Sequence, residues 1–201
     1  YGLDECWLDV TGSSCLGDGE TLANTLRERT KAELGITVSV GVSFCKVFAK
    51  LGSDMKKTDA TTVIPFDGWR KIVWPLPASD MLYVGPATAK LLARYGIRTL
   101  GELAKATPAF LHHKLGKCGD VLWSYANGMD QSPVSRDGDI PPVKSMGNST
   151  TMPRDMADGD ALRIILYILS ESVAARLRAQ DRHCRTVQVS LRWTDLTWVE
   201  R

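Results

Sequence analysis

Between Gly35 and Lys57 the hydrophobic period changes from two to 3.6 within a few residues, a pattern satisfied by a strand that runs straight into a helix. Ile36, Val38, Val40 and Val42 alternate strictly and predict a half-buried strand over residues 36–43. Val47, Leu51 and Met55 then recur at helical spacing. On that segment Lys46, Lys50, Lys56 and Lys57 crowd against a single acid, Asp54, which makes its outer surface anion-seeking.

The start of the chain has the opposite charge. In Tyr1-Gly2-Leu3-Asp4-Glu5-Cys6-Trp7-Leu8-Asp9-Val10 two adjacent carboxylates stand at the head of an apolar stretch. Burying both without a cation carries a large desolvation cost, so they are either solvated at a turn or neutralised by metal. Strand geometry sends neighbouring side chains to opposite faces, so Asp4 and Glu5 can share a metal centre only at a hairpin or an irregular strand end. Paired carboxylates beside a lysine cluster are what phosphoryl transfer needs, because metal and lysine together neutralise the phosphates.

Three segments, Leu3-Asp4-Glu5-Cys6-Trp7-Leu8-Asp9, Val40 through Lys57 and Lys144-Ser145-Met146-Gly147, resemble in order and spacing the successive signatures of the Y-family translesion DNA polymerases, closest to the DinB-like branch. The resemblance implies an α+β fold: the C-terminal part of a palm over residues 1–68, a helical thumb with a helix-hairpin-helix over 69–128, a linker over 129–143 and the start of a little finger over 144–201. It implies template-directed nucleotidyl transfer by two Mg²⁺ ions, with primed DNA and deoxynucleoside triphosphates as partners and a sliding clamp as a further one. Residue by residue, Asp4 and Glu5 match the catalytic metal ligands, and Lys57 matches the lysine that contacts the incoming triphosphate. Gly85, Ala87 and Lys90 fall on the DNA-binding hairpin. Lys46 and Lys50 belong to the same motif, either touching phosphate or lying on a solvated helix face, and Asp54 is a candidate to orient a lysine. Four positions depart from the family pattern: Gly2 replaces the usual Ser, Cys45 the usual Asn, Thr58 the usual Pro, and Tyr83 the usual first hairpin glycine. Because the family places an aspartate-bearing strand and a fingers subdomain before the Asp-Glu motif, the chain is expected to be a fragment without polymerase activity of its own.

The remaining residues are compatible with this expectation. At 201 residues and 44% hydrophobic the chain is long enough for one or two ordinary cores. Residues 1–42 hold seven acidic and three basic side chains, whereas residues 70–118 hold eight basic and two acidic ones, so an acidic centre adjoins a basic arm suited to a polyanion. Five irregularly spaced cysteines and no Cys-x-x-Cys pair point to reduced thiols, as in the cytoplasm. His112 and His113 are helix neighbours, His183 stands alone, and no histidine metal site is expected. No apolar run reaches the roughly 18 residues of a membrane span.

Along the chain the periodicities predict strand, helix, strand, helix, strand over residues 1–66, the first helix running from near Asp18 to Gly35 and the last strand being Thr61 to Phe66. Short helices follow, with Thr99 and Glu102 as a capping box and Thr107 capping ahead of Pro108. After the linker come a strand over Lys144 to Met152, a long helix striped by Leu162, Ile165, Leu169, Val173 and Leu177, and a strand over Arg185 to Trp193. Two rivals stay open at this level. A non-catalytic helix-hairpin-helix repair module would leave Asp4, Glu5 and the lysines unexplained, and a different palm-type phosphotransferase, such as a nucleotide cyclase, would leave the thumb and little finger unexplained.

Overall fold

The structure is a computed structural model that describes Gly2, residues 4–139 and residues 142–201. Tyr1 and Leu3 of the opening motif, and Ile140 and Pro141 of the expected linker, lie outside the described residues. The chain forms two compact units, Tyr1–Arg136 and Asp137–Arg201. Its architecture is α+β, with helices and two small sheets.

In the first unit, α1 (Gly19–Leu34) begins where Asp18 accepts a hydrogen bond from the Thr21 amide at 2.8 Å, and it ends at Gly35 in the left-handed conformation, φ 68°. Strand β1 (Val40–Ser43), helix α2 (Lys46–Met55) and strand β2 (Thr61–Ile64) form a βαβ unit whose strands pair in parallel, Val40 opposite Thr61 and Ser43 opposite Ile64. Helix α2 sits against the sheet at close range. A Cβ on Gly41 would collide with the Ala49 carbonyl oxygen and the Ser53 amide, so only glycine admits this approach.

Val47, Phe48, Leu51 and Ile64 are buried where α2 meets β2. Their core continues through Trp69 and Val73 of α3 (Trp69–Val73) into α4 (Pro86–Arg94), α5 (Leu100–Lys105), α6 (Pro108–Leu115) and α7 (Lys117–Ala126), where Leu92, Leu100, Leu103, Leu111 and Leu122 are buried in the same cluster. The Thr99–Glu102 capping box forms in full at the start of α5. Thr107 stands at the N-cap of α6 with Pro108 behind it, but its hydroxyl makes no capping bond.

The second unit holds α8 (Gly159–Ala179), capped by Asp158, and an antiparallel pair, β3 (Ser190–Arg192) and β4 (Trp198–Glu200). Leu162, Ile165, Leu169, Val173 and Leu177 form the half-buried stripe of α8 that their spacing predicts.

Four expected strands need correction. The first strand expected ahead of α1 and the one expected over 144–152 do not form, and the strands expected over 36–43 and 185–193 shrink to Val40–Ser43 and Ser190–Arg192. The cause is the same each time: alternation reports a face, but a strand exists only where a backbone ladder has a partner. The segment before α8 is tied instead by side chains, Asn148 Nδ2 donating to Ser172 Oγ at 3.0 Å and Arg176 Nη1 to the Gly147 carbonyl at 2.9 Å.

Candidate active site and DNA-binding hairpin

Helix α2 is the element on which the charged residues converge. Lys50 lies one turn inside it, with a side chain only 16% exposed, and its ammonium bridges Glu5 Oε1 at 3.2 Å and Asp54 Oδ2. The other oxygen of Asp54 accepts from Lys57 Nζ at 3.0 Å. Glu5, Lys50, Asp54 and Lys57 thus form an alternating ladder of charge that joins the start of the chain to the end of α2. Burial opposes the Lys50 ammonium, yet hydrogen bonds to Asp54 and Glu5 outweigh it and raise its pKa. Burial likewise opposes the Asp54 carboxylate, and its bonds to Lys50 and Lys57 hold its pKa below the usual carboxylate value. Asp4 and Glu5 are both exposed, and the Lys57 side chain, 64% exposed, reaches solvent.

The four lysines of the motif therefore separate. Lys50 is committed to the ladder and Lys57 stands at its open end. Lys46 is used structurally: Nζ donates to the Pro133 carbonyl at 3.0 Å and lies 4.7 Å from the centre of the Trp7 ring, while Trp7 Nε1 donates to the Lys46 carbonyl at 3.0 Å. Lys56 is exposed. A second anchor, between Asp59 and α1, fixes the turn after α2: Arg27 Nη2 and Lys31 Nζ meet the Asp59 carboxylate at 2.7 and 2.9 Å, and Arg27 also bonds the Asp59 carbonyl at 2.6 Å.

Asp130 is a residue that the sequence reading missed. Its Oδ2 accepts from the Val47 amide at 3.1 Å and so caps α2 from more than eighty positions away. The signal lay in Cys45. This N-cap residue makes no side-chain capping bond, so the first amides of α2 need an acceptor from elsewhere. Asp130 and Pro133 belong to the stretch read as a tether, and both are hydrogen-bonded to α2. Cys45 itself is buried, and desolvation pushes its thiol up to about 11.

The proposed hairpin lies between a single 3₁₀ turn, Ala78–Asp80, and α4. Gly85 is the N-cap of α4 and Pro86 its first residue, and Gly85, Ala87 and Lys90 are all exposed. Backbone amides at such a helix start carry no intrahelical partner, which makes a helix start a favourable place for an anion. The hairpin and the charge ladder are separate features of the first unit.

Comparison with known proteins places this geometry. Residues 1–54 match the model of the impB/mucB/samB family and residues 143–201 that of the impB/mucB/samB family C-terminal domain, together more than half of the chain. A DNA polymerase IV of Acetivibrio thermocellus is 52% identical over the whole of this chain and 51% of its own length, and one from Moorella thermoacetica is 37% identical over the whole chain and 50% of its own. The chain thus spans about half the length of the curated relatives it matches. Among solved structures, a Y-family DNA polymerase chimera of Dbh and Dpo4 superposes with a TM-score of 0.77 at 22% identity, covering 96% of this chain and 55% of that one. A post-insertion binary complex of Dbh DNA polymerase gives a TM-score of 0.60, also at 22% identity, over 96% and 56%. The chain belongs to the Y-family of DNA polymerases, in the DinB-like branch that its relatives share.

Proposed function

We propose that this chain forms the metal-binding and DNA-gripping half of a template-directed translesion polymerase. Residues 1–68 serve as palm, 69–128 as thumb, 129–143 as linker and 144–201 as little finger, and the substrates are primed DNA and deoxynucleoside triphosphates. The observation that carries this reading is the ladder Glu5–Lys50–Asp54–Lys57, which connects Glu5, the second of two adjacent carboxylates, to an exposed lysine through two ion-paired residues.

In this reading Asp4 and Glu5 hold divalent metal. The donor set fits: adjacent, exposed carboxylates are hard oxygen ligands of the kind Mg²⁺ takes in small number, completing its shell with water and substrate phosphate. Glu5 already pairs with one cation, the Lys50 ammonium. Two bound Mg²⁺ ions would activate the primer 3′-hydroxyl and stabilise the leaving pyrophosphate. The chain's own contribution is positional. Asp54 steadies Lys57, and Lys57 presents its charge to the triphosphate, where it strengthens as negative charge develops.

In a full-length polymerase carrying this chain, Asp4→Ala or Glu5→Ala should lower primer extension by several orders of magnitude with DNA affinity nearly unchanged. Lys57→Ala should raise the KM for deoxynucleotides and lower kcat. Extension within tenfold of wild type in either carboxylate variant removes the assignment of metal ligands.

A further inference from the structure

The amide of Val84 donates to the Met81 carbonyl at 3.0 Å and closes a tight turn over residues 81–84 just ahead of α4. Its third residue, Tyr83, has φ 71°. A turn of this kind is ordinarily filled by Gly or Asn at that position, because a Cβ in the left-handed region is strained and a bulky side chain there is an outlier. The core gives no reason for the substitution. Met81 and Val84, on either side, are 2% and 8% exposed, whereas Tyr83 is 56% exposed. The outward ring is nevertheless held in place: it lies along Tyr125, centroid to centroid 6.2 Å and 28° between planes, and Tyr125 is itself half-buried in α7.

Two residues farther on, Gly85 is the exposed N-cap of α4, whose first amides have no intrahelical partner, and Lys90 follows one turn into the helix. A hairpin that only grips a phosphate gains nothing from a tyrosine at 83 and works best with glycine. An exposed, propped aromatic face next to a phosphate-seeking helix start, in a segment with eight basic and two acidic residues, has the composition of a nucleic-acid stacking platform. We propose that Tyr83, supported by Tyr125, stacks on the nucleoside adjoining the phosphate held by the 85–90 hairpin, so that the strain at this position is kept for a DNA contact. The proposal rests on the DNA-binding reading of the thumb.

Glycine relaxes the turn and asparagine tolerates it, so these substitutions separate the ring from the backbone. The test titrates a fluorescent primed duplex with the 201-residue chain at several salt concentrations, comparing wild type, Tyr83→Phe, Tyr83→Gly, Tyr83→Asn and Lys90→Glu. Tyr83→Phe should stay within about twofold of wild type. Tyr83→Gly and Tyr83→Asn should bind about five- to tenfold more weakly, in the lower range for loss of one stacked base, with an unchanged salt slope because no charge is lost. A strand with an abasic site at the contact assigns it: an equal loss means the sugar, a loss confined to the intact strand means the base. Glycine or asparagine variants that bind as tightly as wild type, while Lys90→Glu binds more weakly, overturn the stacking role and leave the thumb reading standing. If Lys90→Glu is silent or wild type does not bind, the thumb reading fails and the stacking role with it.

Discussion

The two units of this chain use apolar residues at similar spacings and bury them to different depths. In the first unit Phe48, Ile64, Val73, Leu100, Leu103, Leu111 and Leu122 are fully buried in one cluster that runs from the βαβ unit through the short helices. In the second unit no described residue is buried, and α8 shows Ile164, Tyr167 and Ile168 to solvent at 60, 73 and 60% exposure beside a stripe that is only half covered. Periodicity specifies which face of an element is apolar, and the contacts the fold provides decide how far that face is removed from water.

Truncating a side chain in each unit tests this difference where its effect is largest. Phe48→Ala removes a ring with no solvent exposure that packs edge-on to Phe44 and lies 4.9 Å from Trp69. It should cost about 3–5 kcal/mol, through lost transfer energy and the cavity left behind. Ile168→Ala on α8 should cost less than about 0.5 kcal/mol in the same urea titration, as expected for an exposed position. A comparable loss at Ile168 would show that the second unit is as tightly packed as the first and would abolish the contrast.

The same contrast explains what the sequence disclosed. The limits of α1 were legible because Asp18 and Gly35 act locally, one through a side-chain cap and the other through a left-handed backbone. The capping box at Thr99 was legible for the same reason. The strand ahead of α1 and the strand over 144–152 do not form, because a strand's partner cannot be inferred from the segment itself. At the candidate site, the crowding of Asp4, Glu5 and the lysines was legible by residue type, whereas the contacts that separate the lysines from one another were not. Lys46 is diverted to Trp7 and Pro133, and Asp130 caps α2, through contacts between residues far apart in sequence. Tyr83 is visible in the sequence as a departure, but its left-handed conformation is set by the turn over residues 81–84, which the residue types alone do not specify.

Thiol chemistry sharpens the comparison at an intermediate size of effect. Cys45 of the first unit is buried at the head of α2, with its thiol pushed up to about 11 by burial, whereas Cys184 of the second unit is exposed. Near pH 8 a thiol that titrates at about 11, against an ordinary value of 9.0, is a thiolate about a hundredfold less often, and the thiolate is the reactive form. With an aromatic disulfide reagent on the folded protein, the buried Cys45 should therefore react much more slowly than the exposed Cys184, by mass spectrometry of quenched time points. Equal rates would mean that the N-terminus of α2 opens as readily as the surface of the second unit.

The smallest expected effect concerns ion pairs and acid. Asp59 meets Lys31 and Arg27 of α1 at once, and the hydrogen bonds from Lys31 and then Arg27 hold its carboxyl below the model-compound value of 3.8. Asp160 of α8 pairs with Arg163 at 3.1 Å, with both side chains more than three-quarters exposed. Because the Asp59 pKa is lowered by folding, the unfolded chain binds more protons at this site below 3.8, and stability there rises with pH. The contribution of Asp59 is thus complete above the unfolded value and is lost as the pH falls through the lower, folded one. Asp59→Asn should lower the urea midpoint measurably at pH 7 and leave it closer to wild type at pH 3, flattening the acid limb, and asparagine suits the left-handed φ of 56° at this position. Asp160→Asn should track wild type at both pH values, as exposed pairs of this kind contribute little. If both variants track wild type, the triad on α1 is no stronger than a surface pair. In that case the anchoring of the turn after α2 rests on the bond from Arg27 to the Asp59 carbonyl, which the substitution leaves in place.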